Sequence, residues 1–377
     1  MNIAEHEILT HNQKKRRPEL DIFRAISILG LPFVHCYEEF DALGFLVPAV
    51  AKTGSVFLGL CALGPSVFMA ILGMNIVFSS HGTPGLLFRR GITTLFYGVL
   101  LNVVRFVLPC IVAGLCGRLE FVTVGIYYSI ASDILYFAGL VFLFFAFVKK
   151  CSIQPVYVLV ISLAMLACNM VITSAAPVTN KYFDAFLGNF AYINDESYFP
   201  FLSWIVYPAV GYMLGEYIKK LETVKDSDSF YLRMFLICGT GLAALCICLK
   251  SYKIDPLVIA ASPANAYIND LFTVVITLLL GGIWLAFWYA ICRHVRSQKF
   301  TTAAYLISDA ILVFYAIQWS VIGWTEYMLA AAKLDKTHFM TPFMFAVISI
   351  LIFIISLIIS LGFKQWERRR QAANKGK

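Results

Sequence analysis

The chain is 377 residues long, 60% hydrophobic and only 14% charged, with a mean hydropathy of +0.78 and a formal net charge of +8. Soluble globular domains carry about 25% charged residues, so this composition excludes one and implies an integral membrane protein. The positive charge is not a nucleic-acid surface: with the amino terminus inside, 22 of the 30 Lys and Arg fall on the cytosolic side, in the tails and alternate connections. That asymmetry orients a helical membrane protein.

The apolar runs are about twenty residues long and lack two-residue alternation, so the expected fold is all-α and polytopic rather than a barrel. Ten spans are predicted near 20–40, 55–79, 91–113, 121–147, 154–172, 199–218, 231–249, 269–291, 303–329 and 341–363. Residues 42–53 form a candidate re-entrant or interfacial piece, which would make eleven. Both termini are expected in the cytosol: a basic tail over 1–17, one membrane domain over 18–364 and a second basic tail over 365–377. The opening residues are polar and no small-residue cleavage site follows the first apolar run, so no removable signal peptide is expected. The expected location is the plasma membrane.

In the first span, Arg24 and His35 are eleven residues apart. Eleven helical steps total about 1100°, three turns plus about 20°, so the two side chains share a face about 16 Å apart along the axis. An ionisable group inside a membrane reads as functional by default. Of the six histidines, His6, His11, His81, His294 and His338 are expected in tails or loops, leaving His35 within a span. Near the inner boundary, Arg24 suits a phosphate through its bidentate fork; deeper, His35 suits general-base work near neutral pH. Pro32 has no N–H for the Ile28 carbonyl, so a kink is expected there. The bland alternative is a snorkelling Arg24 and a His35 bonded to a neighbouring helix.

Further along, Asp133 is expected inside the fourth span, with Asp309 and Glu326 at opposite ends of the ninth. Asp133 has three candidate roles: orienting His35 as the acid of a hydrolase triad does, pairing with Arg105, or accepting from tyrosine hydroxyls. Arg89 and Arg90 either bind phosphates beside Arg24 or are an ordinary cytosolic pair, and Asp21 suits the positive end of the first helix. The connection 173–198 combines Tyr182, Phe183, Phe186, Phe190, Tyr192 and Tyr198 with Asp184, Asp195 and Glu196. It is either a sugar-binding surface or an interfacial aromatic belt. The connection 250–268 contains Pro256 and Pro263 but no evident chemistry. The ten cysteines lie mostly in spans, Cys110 and Cys116 being either a pair or free thiols, and no Cys/His spacing suits a metal.

The stretch LDIFRAISILGLPFVH resembles the first helix of membrane-bound acyltransferases, in which Arg and His are separated by ten residues after a Leu-Asp or Ile-Asp pair. Two groups share it: the acyltransferase 3 family, and the family of the heparan-alpha-glucosaminide N-acetyltransferase catalytic domain. GPSVFMAILGMNIVFS at 64–79 is similar to the second helix of both; LLFRRGITTLFYGVLLNVVR at 86–105, SDILYFAGLVFLFFAF at 132–147 and FPFLSWIVYPAVGYMLGEYI at 199–218 resemble the second group. The likeness covers roughly residues 17–220. It departs from the acyltransferase 3 family at Arg89–Arg90, which are adjacent rather than three apart, and at Gln318, where a similar late helix often carries His. The lysosomal member's catalytic His also follows the first helix, where this chain has none.

The resemblance implies an acetyltransferase with acetyl-CoA as donor, no metal, and a hydroxyl or amine of a carbohydrate or glycolipid at the external face as acceptor. Of the site residues it carries over Arg24 and His35; the mechanism inferred with them sets the coenzyme phosphates on Arg24 with Arg89 and Arg90, and makes His35 the base or transient acetyl carrier, with Asp133 a candidate to orient it. The alternative class is a proton-coupled transporter or flippase using His35, Asp133, Asp309 and Glu326 as a relay, although no internal symmetry of the transporter kind is visible.

Overall fold

The computed structural model describes residues 18–40, 64–79, 82–173, 180–192, 197–253, 269–295, 297–333 and 341–375, and every regular element among them is helical. In chain order the helices are α1 (Pro18–Leu29), α2 (Leu31–Glu39), α3 (Gly64–Phe78), α4 (Pro84–Asn102), a π-helical turn (Val103–Val107), α5 (Leu108–Leu115), α6 (Glu120–Ser129) and α7 (Ile134–Lys150). There follow α8 (Pro155–Thr173), α9 (Lys181–Leu187), α10 (Phe201–Trp204), α11 (Val206–Ile218), α12 (Val224–Ser251), α13 (Leu271–His294), α14 (Gln298–Ala331) and α15 (Pro342–Lys375). Among the described residues, eight helical segments are long and apolar enough to cross a membrane. The span expected at 55–79 is described only over the 15 residues of α3, and that at 199–218 divides into α10 and α11. The segment 42–53 lies outside the described residues.

Several interruptions have a local cause. Pro32 enters in the first turn of α2 just after Gly30, so the predicted kink takes the form of a break, with the Phe33 N–H bonding Gly30 O at 3.2 Å. Pro208 likewise has no N–H for the Trp204 carbonyl, where α10 ends. Pro109 leaves the Arg105 carbonyl without its usual donor, and the helix widens there into the π turn.

The expected fourth span stands as Glu120–Lys150, but it is interrupted between α6 and α7, and Asp133 lies at that interruption instead of in a helix interior. Residues 130–133 leave the helix, Asp133 is extended (φ −138°, ψ 153°), and its carboxylate caps α7 by accepting from Leu135 N at 2.8 Å. An opened backbone at membrane depth must find partners inside the protein. Asn189 Nδ2 donates to Ile130 O at 3.1 Å, Tyr136 Oη to Ser129 O at 3.1 Å, and Asn102 Nδ2 to both Ser129 O and Ala131 O at 3.4 Å. The ninth span and the last helix both run longer than the apolar stretches expected for them. The first runs from the Ser297 cap to Ala331, and α15 continues helically to Lys375, where Arg368 pairs with Asp309 at 2.9 Å. His294 closes α13 instead of lying in a loop.

Close crossings at small residues hold the bundle together, as expected where lipid removes the hydrophobic difference between inside and outside. A Cβ on Gly211 would stand 1.8 Å from Ala70 O, and one on Gly73 2.0 Å from Pro208 O, so α3 and α11 touch backbone to backbone. α4 and α7 cross similarly at Gly91 and Gly139. α1 packs on α3, α13 and α14, whereas α2 packs on α14 and α15. Both halves of the first span therefore lean on α14.

Candidate functional site

His35 is buried, 6% exposed, in the middle of α2. Its Nδ1 meets the terminal amide of Gln318, its ring stacks on Trp319 (centroids 4.2 Å apart, planes at 28°), and Tyr315 stands edge-on at 6.1 Å. All three partners come from α14. Positions 315, 318, 319 and 322 recur at helical spacing on its buried side.

The same stripe binds a second cluster. Tyr315 Oη donates to Asp133 Oδ2 at 2.9 Å, and the Arg105 guanidinium meets that oxygen through Nη1 at 3.2 Å. Arg105 Cζ lies 3.9 Å from the Trp319 ring centre and 4.1 Å from that of Phe106. One indole thus carries an imidazole and a guanidinium, and a buried cation on aromatic faces with a carboxylate beside it is electrostatically compensated. Gly323 lets this happen. A Cβ there would stand 2.3 Å from Arg105 O, and one residue later Trp324 Nε1 donates to Val104 O at 3.0 Å. The π turn therefore docks directly onto α14.

Of the residues singled out from the sequence, His35 and Asp133 are brought into one buried neighbourhood but through intermediaries. Asp133 accepts from Arg105, Tyr315 and Leu135, and the contact to His35 Nδ1 is made by Gln318. The three arginines stand elsewhere: Arg24 is half-buried on α1, while Arg89 and Arg90 are exposed near the start of α4, with Arg90 4.4 Å over the Phe142 ring of α7. Asp21, in the first turn of α1, accepts from Ser308 Oγ at 2.8 Å. Cys110 and Cys116 are free thiols. In the aromatic connection, Asn180 caps α9, and Tyr182, Phe183, Phe186 and Phe190 are exposed; Asp195 and Glu196 lie outside the described residues. Among the described residues no group of three or more His, Cys, Asp or Glu suits a metal ion.

Sequence reasoning missed Gln318 and Trp319 as neighbours of His35 and undervalued Arg105. The usable signal was the Tyr-Gln-Trp stripe within the apolar run of α14, a polar and aromatic pattern that a helix facing only lipid does not need.

Fold and site together define an integral membrane protein whose helices enclose a histidine beside a buried ion pair. Residues 16–253, well over half the chain, match the family described as heparan-alpha-glucosaminide N-acetyltransferase, catalytic, and the chain belongs to that family of acetyltransferases. Comparison with curated proteins and with solved structures returned no match. The matched region holds α1 to α12 and hence His35, Arg105 and Asp133; α14, which touches all three, lies beyond it.

Proposed function

We propose that this protein is a ten-span acetyltransferase of the plasma membrane. It takes acetyl from cytosolic acetyl-CoA and delivers it to a hydroxyl or amine of a carbohydrate or glycolipid at the external face. One observation carries the reading: in a member of an acetyltransferase family, the span histidine is buried in the bundle interior, held by Gln318 and Trp319 beside the Arg105–Asp133–Tyr315 cluster. The sidedness rests on the basic residues, 22 of 30 of which fall on one side of the ten-span arrangement.

In this mechanism Arg24, with Arg89 and Arg90 at the same rim, holds the coenzyme phosphates through charge-assisted bonds. The thioester arm extends into the bundle. The acceptor oxygen or nitrogen attacks the carbonyl carbon while its proton passes to His35. The C–S bond breaks, and coenzyme A leaves as the thiol after taking that proton from the imidazolium. Arg105 supplies fixed positive charge for the oxygen of the tetrahedral intermediate, and Asp133 with Tyr315 holds the guanidinium in place. Exclusion of water by the bundle limits wasteful hydrolysis of the thioester.

Isothermal calorimetry on the purified full-length protein in nanodiscs tests the donor assignment. Saturable binding of acetyl-CoA is expected. No heat of binding in a well-folded sample overturns it.

A further inference from the structure

The orientation of the Gln318 amide decides what His35 can do. A half-turn about the terminal side-chain bond exchanges Oε1 and Nε2 at the same place, so the contact to His35 Nδ1 has two chemical forms. If the amide N–H donates, Nδ1 is the acceptor, the imidazole proton sits on Nε2, and no lone pair remains to take a proton. If Oε1 accepts, Nδ1 carries the proton and Nε2 presents its lone pair. Only the second form makes a base.

We propose that Gln318 is the positioning residue that fixes His35 in the Nδ1–H tautomer, its Oε1 accepting from Nδ1 so that Nε2 faces the reaction. This rests on the reading of His35 as the base. Three observations bear on it. Gln318 is fully buried, and among the described residues its amide makes no hydrogen bond other than the one to Nδ1, so this single contact decides which ring nitrogen carries the proton. Trp319, the next residue, stacks on the imidazole and fixes its plane, so one short stretch of α14 sets both tilt and tautomer. The carboxylate that the sequence offered as a candidate for this task, Asp133, is committed to Arg105 and Tyr315. A neutral amide also adds no further charge to a site that already holds a buried ion pair.

In the transfer step the acceptor's proton moves to Nε2 as its oxygen or nitrogen bonds to the acetyl carbon. The imidazolium then carries protons on both nitrogens, with Gln318 still accepting from Nδ1. It returns the Nε2 proton to the departing thiolate as the C–S bond breaks, and the original tautomer is restored without any redox partner.

The test reads the tautomer directly, by nitrogen NMR of the full-length protein labelled with 15N-histidine in nanodiscs, the His35 signals being those absent from His35→Asn. In the neutral form the proton is expected on Nδ1. Gln318→Leu should release it to a mixture of tautomers and lower kcat for acetyl transfer at least about tenfold, short of the roughly 10⁴ lost when a triad histidine loses its ionised partner, with KM for acetyl-CoA unchanged. Gln318→Glu keeps an acceptor at Nδ1 and should keep both the tautomer and most of the turnover, which separates positioning from folding. A proton on Nε2 in the unsubstituted protein overturns the proposal, and so does a Gln318→Leu protein with unchanged tautomer, whatever its activity. Because the tautomer is read without turnover, a His35→Asn protein with full activity would remove the base reading separately.

Discussion

Asp133 and Arg105 are 3% and 6% exposed, and the two residues differ in what they leave behind when substituted. Arg105→Met removes the cation, but the carboxylate keeps the Tyr315 hydroxyl at 2.9 Å and the Leu135 N–H at 2.8 Å. Asp133→Ala removes the counter-charge, the Tyr315 acceptor and the cap of α7, leaving a guanidinium held by the Trp319 and Phe106 faces alone. Losing one partner of a buried pair costs about 3–5 kcal/mol, and loss of an Asp cap adds about 0.5–2 kcal/mol. Aromatic faces return up to about 2 kcal/mol for a desolvated cation. Asp133→Ala should therefore destabilise by about 3–5 kcal/mol and Arg105→Met by less. The double variant Arg105→Met/Asp133→Ala should be milder than the sum of its single changes by at least about 1 kcal/mol. Titration of unfolding with sodium dodecyl sulfate in mixed micelles, followed by tryptophan fluorescence, gives the three values. Additivity within about 0.5 kcal/mol would refute a coupled buried pair.

Gly323→Val should separate α14 from the π turn, destabilising by at least about 1–3 kcal/mol through overpacking, whereas Gly85→Ala, with nothing within 4 Å of the new methyl, should leave unfolding unchanged. Arg24→Ala should weaken acetyl-CoA binding by about 1.5–3 kcal/mol, the worth of one hydrogen bond to a charged group, measured by calorimetry; unchanged affinity would move the phosphate site elsewhere. In sealed cells an impermeant thiol reagent should label a cysteine introduced at Asp195 and leave one at Lys375 unlabelled, and labelling at Lys375 would reverse the proposed sidedness.

The helical class and the positions of most long segments were legible because a run of about twenty apolar residues announces itself without tertiary context. α8, expected at 154–172, spans Pro155–Thr173. What remained hidden is set by contacts between distant parts of the chain. Residues 130–133 hold just two polar side chains, Ser132 and Asp133, between two apolar stretches, so hydropathy averaged over a span merges α6 with α7. The break is supported by Asn102, Tyr136 and Asn189 from other turns and helices, although a Ser-Asp pair ahead of an apolar run was a cap signal available from the start. The π turn depends on Pro109, visible in the sequence, and on the Trp324 donor to Val104, 220 residues away. For Asp133, pairing with Arg105 and accepting from tyrosine were readable as possibilities, but composition cannot rank them against His35. Gln318 was visible as a departure from the family pattern; its contact with a histidine 283 residues earlier was not.

The central claim is that His35 moves the proton in acetyl transfer. Single-turnover kinetics with radiolabelled acetyl-CoA and an amino-sugar or glycolipid acceptor test it most directly, comparing the unsubstituted protein with His35→Asn at matched donor occupancy. The substitution keeps a polar side chain in the bundle but cannot act as an imidazole base. The transfer rate should fall by about 10²–10⁴ while the acetyl-CoA dissociation constant stays the same. Transfer at the unsubstituted rate by a well-folded His35→Asn protein would contradict the account.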